Sequence, residues 1–427
     1  MSRAHAEPTG GYKRYVLCIL TLVYTLNYLD RGLITLLLPQ IQTDLKLSDT
    51  QLGFLTGIAF GLFYATLGVP MARWSDRGDR STVTSLAIGL WGLTVMGCVL
   101  VMNFWQFVVA RVAAAVGEAG CMPPTYSLVG DYFPQPGERT RAMSFYMLAN
   151  PLSVLLSFVL GGWLASRLGW RVTFFLMGLP ALFVAVLVKW TVRDPRALRA
   201  HVAVIGTPRQ PWHGVLAGLW LDRPTRHLTA ALIVLLTIGA GLGPWYATFL
   251  TRYHGLGTEQ LGYWLGFIFS VGGIAGIALG GDLSTRWFAQ NLAGQMTMIA
   301  IAVACLTPAF TLFLTAHDTR IALGALAVLW TLFNFALGPT FALLQRLVSA
   351  DARATSLALI MMLANLIGMG IGPQLVGLFS DLFRPAFGSE SLRYAMLTPA
   401  AAAIWSAYHF WRAGKYASLR LETVAIR

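Results

Sequence analysis

The sequence predicts an all-α integral membrane protein, with twelve transmembrane helices in two pseudo-symmetric six-helix bundles. Three observations predict it. Apolar runs of twenty or more residues recur from end to end, the length a helix needs to cross a hydrocarbon core. Charged residues are 11% of the 427-residue chain, against roughly 25% in ordinary soluble domains, and mean hydropathy is +0.63. Short motifs of the first half recur in the second. Strand-like alternation is absent, so helices rather than a barrel satisfy the backbone in lipid.

A tail, 1–14, precedes the first bundle, 15–191. Span 1, 15–38, follows Lys13 and Arg14 as a signal peptide would. It is too long for a signal's apolar region and lacks a small-residue cleavage site, so it reads as an uncleaved span. Span 2, 49–72, opens on Ser48 with Gln51, a capping pattern. Spans 3 to 6 cover 82–102, 104–132, 140–166 and 170–191. The polar stretch 192–224 carries Arg193, Arg196, Arg199, Arg209 and Arg223 among three prolines and forms a central loop. Within it, His213 to Leu221 reads as a short helix lying on the membrane surface. The second bundle, 225–415, holds spans at 225–251, 258–284, 290–316, 319–348, 352–383 and 391–413. Thr258 before Glu259 and Gln260 marks a helix start. A second tail covers 416–427.

The halves repeat. Pro124-Thr125-Tyr126-Ser127-Leu128 matches Pro339-Thr340-Phe341-Ala342-Leu343 at a displacement of 215. Arg141-Ala142-Met143-Ser144 echoes Arg353-Ala354-Thr355-Ser356, and Leu148-Ala149-Asn150 echoes Leu363-Ala364-Asn365. Parallel six-span repeats imply two bundles facing each other across a midplane site.

An even span count puts both termini on one side. Assigning them to the cytoplasm places 22 Lys/Arg there, 7 on the other side and 2 in spans, the positive-inside bias. Those loops account for the net charge of +13 without a nucleic-acid partner. N-glycosylation sequons are absent, which favours a bacterial inner (plasma) membrane. The four cysteines lie in spans without metal spacing, and the seven histidines form no i, i+4 pair. No metal, cofactor or enzyme chemistry is expected.

Asp30 and Arg31 stand inside span 1, and Arg111 and Glu118 inside span 4. An ionisable side chain at such depth is costly and marks a functional site by default. At about 1.5 Å per residue, Asp30 and Arg31 fall roughly 5–6 Å outside the midplane, between Arg111 and Glu118. Arg111 and Glu118 are seven residues apart and share a helix face. If spans 1 and 4 both line the cavity, Arg31 approaches Glu118 while Asp30 approaches Arg111. Asp30 lies about 100° round the helix from Arg31, so only one points straight inward, and Arg31 is taken as that one. Glu118 is expected to carry the proton; the plain alternative is a permanent ion-pair clamp. Tyr24, Asn27, Tyr28 and Thr35 are candidate cavity lining, with Tyr24, Tyr28, Arg31 and Thr35 forming one polar stripe at helical spacing. The equivalent positions of the second half are Leu326 and Phe333, and spans 7, 10 and 11 carry no charge in their central regions. A charged wall facing an apolar wall suits an amphiphile with an anionic head. Gly and Pro clusters at Pro123-Pro124, Pro151, Gly243-Pro244, Gly338-Pro339 and Gly372-Pro373 mark where a helix can bend and the bundles can move, with permanent kinks as the plain alternative.

The loop Ala72-Arg73-Trp74-Ser75-Asp76-Arg77-Gly78-Asp79-Arg80 resembles the signature loop of the major facilitator superfamily, G-x-L-x-D-R-x-G-R. Ala72 and Asp79 stand where that family has glycine. The corresponding loop after span 8 has Thr285 in place of the acid. The resemblance implies a gating role for Asp76, Arg77, Arg80 and Asp131. Asp76 would sit against the start of span 11 near Asp351, and Arg80 would pair with Asp131. Asn27-Tyr28-Leu29-Asp30-Arg31, with Arg111 and Gly117-Glu118-Ala119-Gly120, looks like the helix 1 and helix 4 signatures of the spinster branch. That resemblance implies alternating-access transport of lysophospholipid or sphingosine-phosphate lipids, with proton coupling at Asp30, Arg31, Arg111 and Glu118. The expected partners are an amphipathic small-molecule or lipid substrate, protons and membrane lipids, with the protein acting as a monomer. The same fold also carries drug exporters and organic-acid or sugar carriers. Ser157 to Gly162 departs from the G-P-x-x-G-G of drug antiporters. A channel would need a polar series through both halves.

Overall fold

A computed structural model describes residues 9–198, 212–348 and 352–425, and those residues are helical throughout, without a strand. In chain order they form α1 (Gly10–Leu45), α2 (Asp49–Arg77), α3 (Arg80–Leu100) and α4 (Phe104–Tyr132). Then come α5 (136–168) and α6 (170–191), which reverse at Gly169 in a left-handed conformation, φ 75°. The second half supplies α7 (223–254), α8 (Thr258–Phe288), α9 (Leu292–Thr315), α10 (Thr319–Leu347), α11 (353–387) and α12 (391–425). Nine described stretches are long and apolar enough to cross a membrane. Two of them hold a pair of helices each, and α4, with Arg111 and Glu118 mid-length, is the twelfth helix.

Side chains cap several helix starts, each giving one orphaned first-turn N–H a partner. Ser48 and Gln51 form a reciprocal capping box. Asp79 accepts from Thr82 N at 2.9 Å, Asn103 from Gln106 N at 3.0 Å, and Asp222 from Thr225 N at 3.2 Å. The polar stretch 192–224 contains the expected short helix, Trp212–Leu221, with Val215 and Leu219 buried on one face.

The helices run longer than their apolar cores, α1 passing through Pro39 to Leu45. Not every Gly/Pro cluster interrupts its helix. α4 continues through Pro123 and Pro124, and α10 through Pro339. α7 does break, at Gly243-Pro244. α5 and α11 each take up a wide, π-type turn, at Leu156–Leu160 and Asn365–Ile371, close to Pro151 and Gly372-Pro373.

The chain forms two compact units. The first comprises Met1–Leu47, Ala59–Ile205 and Gly257–Gly266; the second comprises Ser48–Ile58, Gly206–Leu256 and Phe267–Arg427. Each half of the sequence therefore lends a short segment to the other unit. Glycines make this possible by bringing backbones together. In the first unit a Cβ on Gly262 would meet the Phe158 carbonyl oxygen at 2.3 Å, and Gln40 Nε2 donates to Thr258 Oγ1 at 2.8 Å. In the second, a Cβ on Gly53 would meet the Pro373 carbonyl oxygen at 2.5 Å.

Candidate transport site

Asp30 and Arg31 are consecutive on α1, and each reaches α4 in the first unit. Arg111 Nη1 lies 2.5 Å from Asp30 Oδ2. Arg31 Nε donates to Glu118 Oε1 at 2.6 Å, and its Nη2 contacts the same oxygen. Asp30 and Glu118 are wholly buried and Arg111 is 4% exposed, whereas the Arg31 side chain is 23% exposed. Two bases and two acids thus balance, and Arg31 is the accessible member. Only one oxygen of each carboxylate is engaged. Asp30 Oδ1 and Glu118 Oε2 are buried and accept no hydrogen bond from the described residues.

Close packing fixes this geometry. A Cβ on Gly117 would meet Trp91 N at 2.8 Å, and one on Gly120 would meet Ala87 Cβ at 2.9 Å, so α4 lies tight against α3 on either side of Glu118. Beside Arg31, a Cβ on Gly32 would meet Ser157 Cβ at 2.6 Å, and Ser157 Oγ donates to Leu29 O at 2.6 Å. That serine belongs to the wide turn of α5.

Aromatic faces surround the guanidinium groups. Arg31 Cζ sits 4.3 Å from the centre of the Tyr28 ring, 4.7 Å from Tyr64 and 5.2 Å from Phe60. Arg111 Cζ lies 4.7 Å from Phe60. Such contacts hold a cation in place without neutralising it. Of the four residues expected to line the cavity, Tyr28 is part-exposed while Tyr24, Asn27 and Thr35 are buried. Tyr24 meets the Tyr28 ring edge-on at 4.9 Å and packs at a tilt against Tyr146 at 5.0 Å. The Thr35 hydroxyl donates to Arg31 O at 2.8 Å, and the Asn27 carboxamide has no hydrogen bond among the described residues.

The loop after α2 is held by the segment that follows α6. Arg80 Nη2 bridges Asp131 Oδ2 and Asp194 Oδ1, both at 2.6 Å, and Arg80 N donates to Asp194 Oδ2 at 3.0 Å. Arg196 donates to the carbonyls of Ser75, Asp76 and Gly78 at 2.8–2.9 Å. Burial opposes ionisation of Asp194, but the hydrogen bonds from Arg80 and Arg196 outweigh it and hold the carboxyl well below the usual carboxylate range. The expected seat of Asp76, near Asp351, lies outside the described residues.

Sequence reasoning missed several of these partners. Phe60 and Tyr64 are an i, i+4 aromatic pair on α2, a spacing equally compatible with plain packing. Asp194 is the only acid in the run 193–199, which was a usable signal. Asp49, read only as part of a helix start, is the buried centre of a cluster in the second unit. It accepts from Arg252 Nη1 at 2.9 Å, Arg384 Nη2 at 3.2 Å and Ser380 Oγ at 2.6 Å. Asp381 in turn accepts from Thr50 N at 2.7 Å, at the positive end of α2.

In the second unit, the positions that the repeat pairs with Arg111 and Glu118 are Leu326 and Phe333, and neither carries a charge. Phe333 packs onto Gly239, where a Cβ would meet its Cζ at 2.5 Å, and it stacks on Trp330 at 5.6 Å. Leu326 is wholly buried.

The family model described as Major Facilitator Superfamily matches residues 20–373. An MFS-type efflux pump of Mycolicibacterium smegmatis is 31% identical over 96% of this chain and 94% of its own. Protein spinster homolog 1 of Xenopus laevis is 26% identical over 91% of this chain and 78% of its own. Among solved structures, a bacterial homologue of the human lysosomal transporter Spinster, inward-facing and unoccupied, superposes with a TM-score of 0.83. It is 25% identical, with 96% of this chain and 98% of that one covered.

Proposed function

The chain belongs to the major facilitator superfamily, a multi-pass secondary transporter of small molecules and not an enzyme, and from that premise we propose that it moves amphipathic anionic lipids by proton-coupled alternating access. The lipids are of lysophospholipid or sphingosine-phosphate type. The membrane is the bacterial plasma membrane, with both termini cytoplasmic, and the working unit is a monomer.

The observation that carries this reading is the Arg31–Glu118 pair. Arg31 is the exposed member of an otherwise buried network, and its partner carboxylate keeps one oxygen without a hydrogen bond among the described residues. A proton on Glu118 Oε2 removes the negative charge that holds Arg31. The guanidinium, still steadied by Tyr28 and Tyr64, then grips a phosphate bidentately. Proton and headgroup thus act on the same residue pair. Asp30 and Arg111 brace the helices behind it. Asp76, Arg77, Arg80 and Asp131 serve the gating loop, locked by Asp194 and Arg196.

Export of amphipathic drugs is a second reading, favoured by the 31% identity to an efflux pump. Purified protein in liposomes, given a pH gradient and fluorescent lysophosphatidylglycerol, separates the two. The lipid reading predicts saturable, gradient-dependent lipid movement that ethidium does not inhibit. Ethidium movement without lipid movement or lipid competition contradicts it.

A further inference from the structure

In the first unit, a cavity of about 550 Å³ lies between the first turns of α1 and the junction of α4 with α5. Lys13, Arg14 and Arg141 line it together with one acid, Glu138, while Leu17 and Phe145 give it an apolar wall. The side chains of the three bases form no ion pair among the described residues. Arg14 and Arg141 are exposed and Lys13 is half-buried.

The internal repeat gives this cavity a counterpart. Gly10 and Phe133 line the first, and Thr225 and Val348, each 215 residues on, line a cavity of about 260 Å³ in the second unit. There the short helix Trp212–Leu221 supplies part of the lining, burying Val215 and Leu219, and no basic residue takes part. In the first unit no described helix plays that covering role, and the lining is basic instead. The same place in the repeat is thus filled by an apolar helix face in one unit and presents an open, cationic, apolar-walled hollow in the other.

We propose that the first-unit cavity binds the headgroup of an anionic phospholipid from the leaflet on the side of the termini. Lys13, Arg14 and Arg141 hold the phosphate, and the acyl chains leave along Leu17 and Phe145. Glu138 reduces the wall's charge to +2, a match for one anionic headgroup and its hydration. The site is separate from the transport network. Arg31 lies seventeen residues beyond Arg14 on α1, about 25 Å by helical rise. Its test therefore does not depend on what is transported.

Native mass spectrometry of the full chain, titrated with phosphatidylglycerol, phosphatidylcholine or inorganic phosphate, reads the site directly. Phosphatidylglycerol is expected to bind in preference to phosphatidylcholine, with no displacement by millimolar phosphate. Arg141→Gln, on an exposed side chain, is expected to weaken phosphatidylglycerol binding about fivefold. Combining it with Lys13→Gln and Arg14→Gln abolishes the preference. Equal binding of the two lipids, an unchanged preference in Arg141→Gln, or displacement by free phosphate overturns the proposal.

Discussion

Arg111 and Arg31 carry the same charge into the same bundle, yet their surroundings give them different work. Arg111 and Asp30 are both buried, so removing either leaves its partner uncompensated in a dry environment. Arg111→Met is expected to lower stability by roughly 3–5 kcal/mol, read by thermal unfolding in detergent. The double variant Asp30→Leu/Arg111→Met should regain most of that loss, because no charge is then stranded. This pairing was legible in the sequence once spans 1 and 4 were taken to line one cavity, as the family resemblance implies, because the seven-residue step from Arg111 to Glu118 puts both on one face of α4. The aromatic seats Phe60 and Tyr64 were not. An aromatic pair at helical spacing looks the same in sequence whether it meets lipid, packs a core or flanks an arginine.

At the scale of elements, hydropathy located all twelve helices, because lipid leaves the backbone no other way to satisfy itself. It did not distinguish the prolines that interrupt a helix from those that do not. A proline removes one hydrogen bond wherever it sits, yet the helix is interrupted in α7 at Gly243-Pro244 and continues in α4 through Pro123-Pro124. The loop after α2 shows the same limit. Its match to a family signature pointed to Arg80 and Asp131, while Asp194, a lone acid among arginines more than a hundred residues on, gave a signal in sequence but no partner until α6 returned beside the loop. Asp194→Asn is expected to cost roughly 1.5–3 kcal/mol at neutral pH, the range for hydrogen bonds to charged groups. Because the native carboxyl ionises below its unfolded value of about 3.9, its contribution is fully present above that pH. It disappears as pH falls through the lowered native value. The melting difference between wild type and Asp194→Asn should therefore hold steady from pH 7 to 5 and shrink below about pH 4.

For the whole molecule, the internal repeat foretold two related halves but not their exchange of short segments. Gly53 and Gly262 give no apolar or charged signal, and their meaning lies in neighbouring backbone so close that a Cβ at either position would collide with a carbonyl oxygen, of Pro373 and Phe158 respectively. The functional asymmetry was readable. The displacement of 215 takes Arg111 and Glu118 to Leu326 and Phe333, and the second unit is apolar where the first is charged. In the proposed reading, the network of Asp30, Arg31, Arg111 and Glu118 on α1 and α4 couples proton to substrate, with Glu118 as the proton carrier and Arg31 as the ligand for the headgroup. Transport of lysophosphatidylglycerol into liposomes across a range of pH gradients, compared between wild type and Glu118→Gln, tests this most directly. The account predicts that wild-type transport follows the gradient and that Glu118→Gln, neutral at every pH, loses that dependence while still exchanging lipid. Full gradient dependence in Glu118→Gln would contradict it.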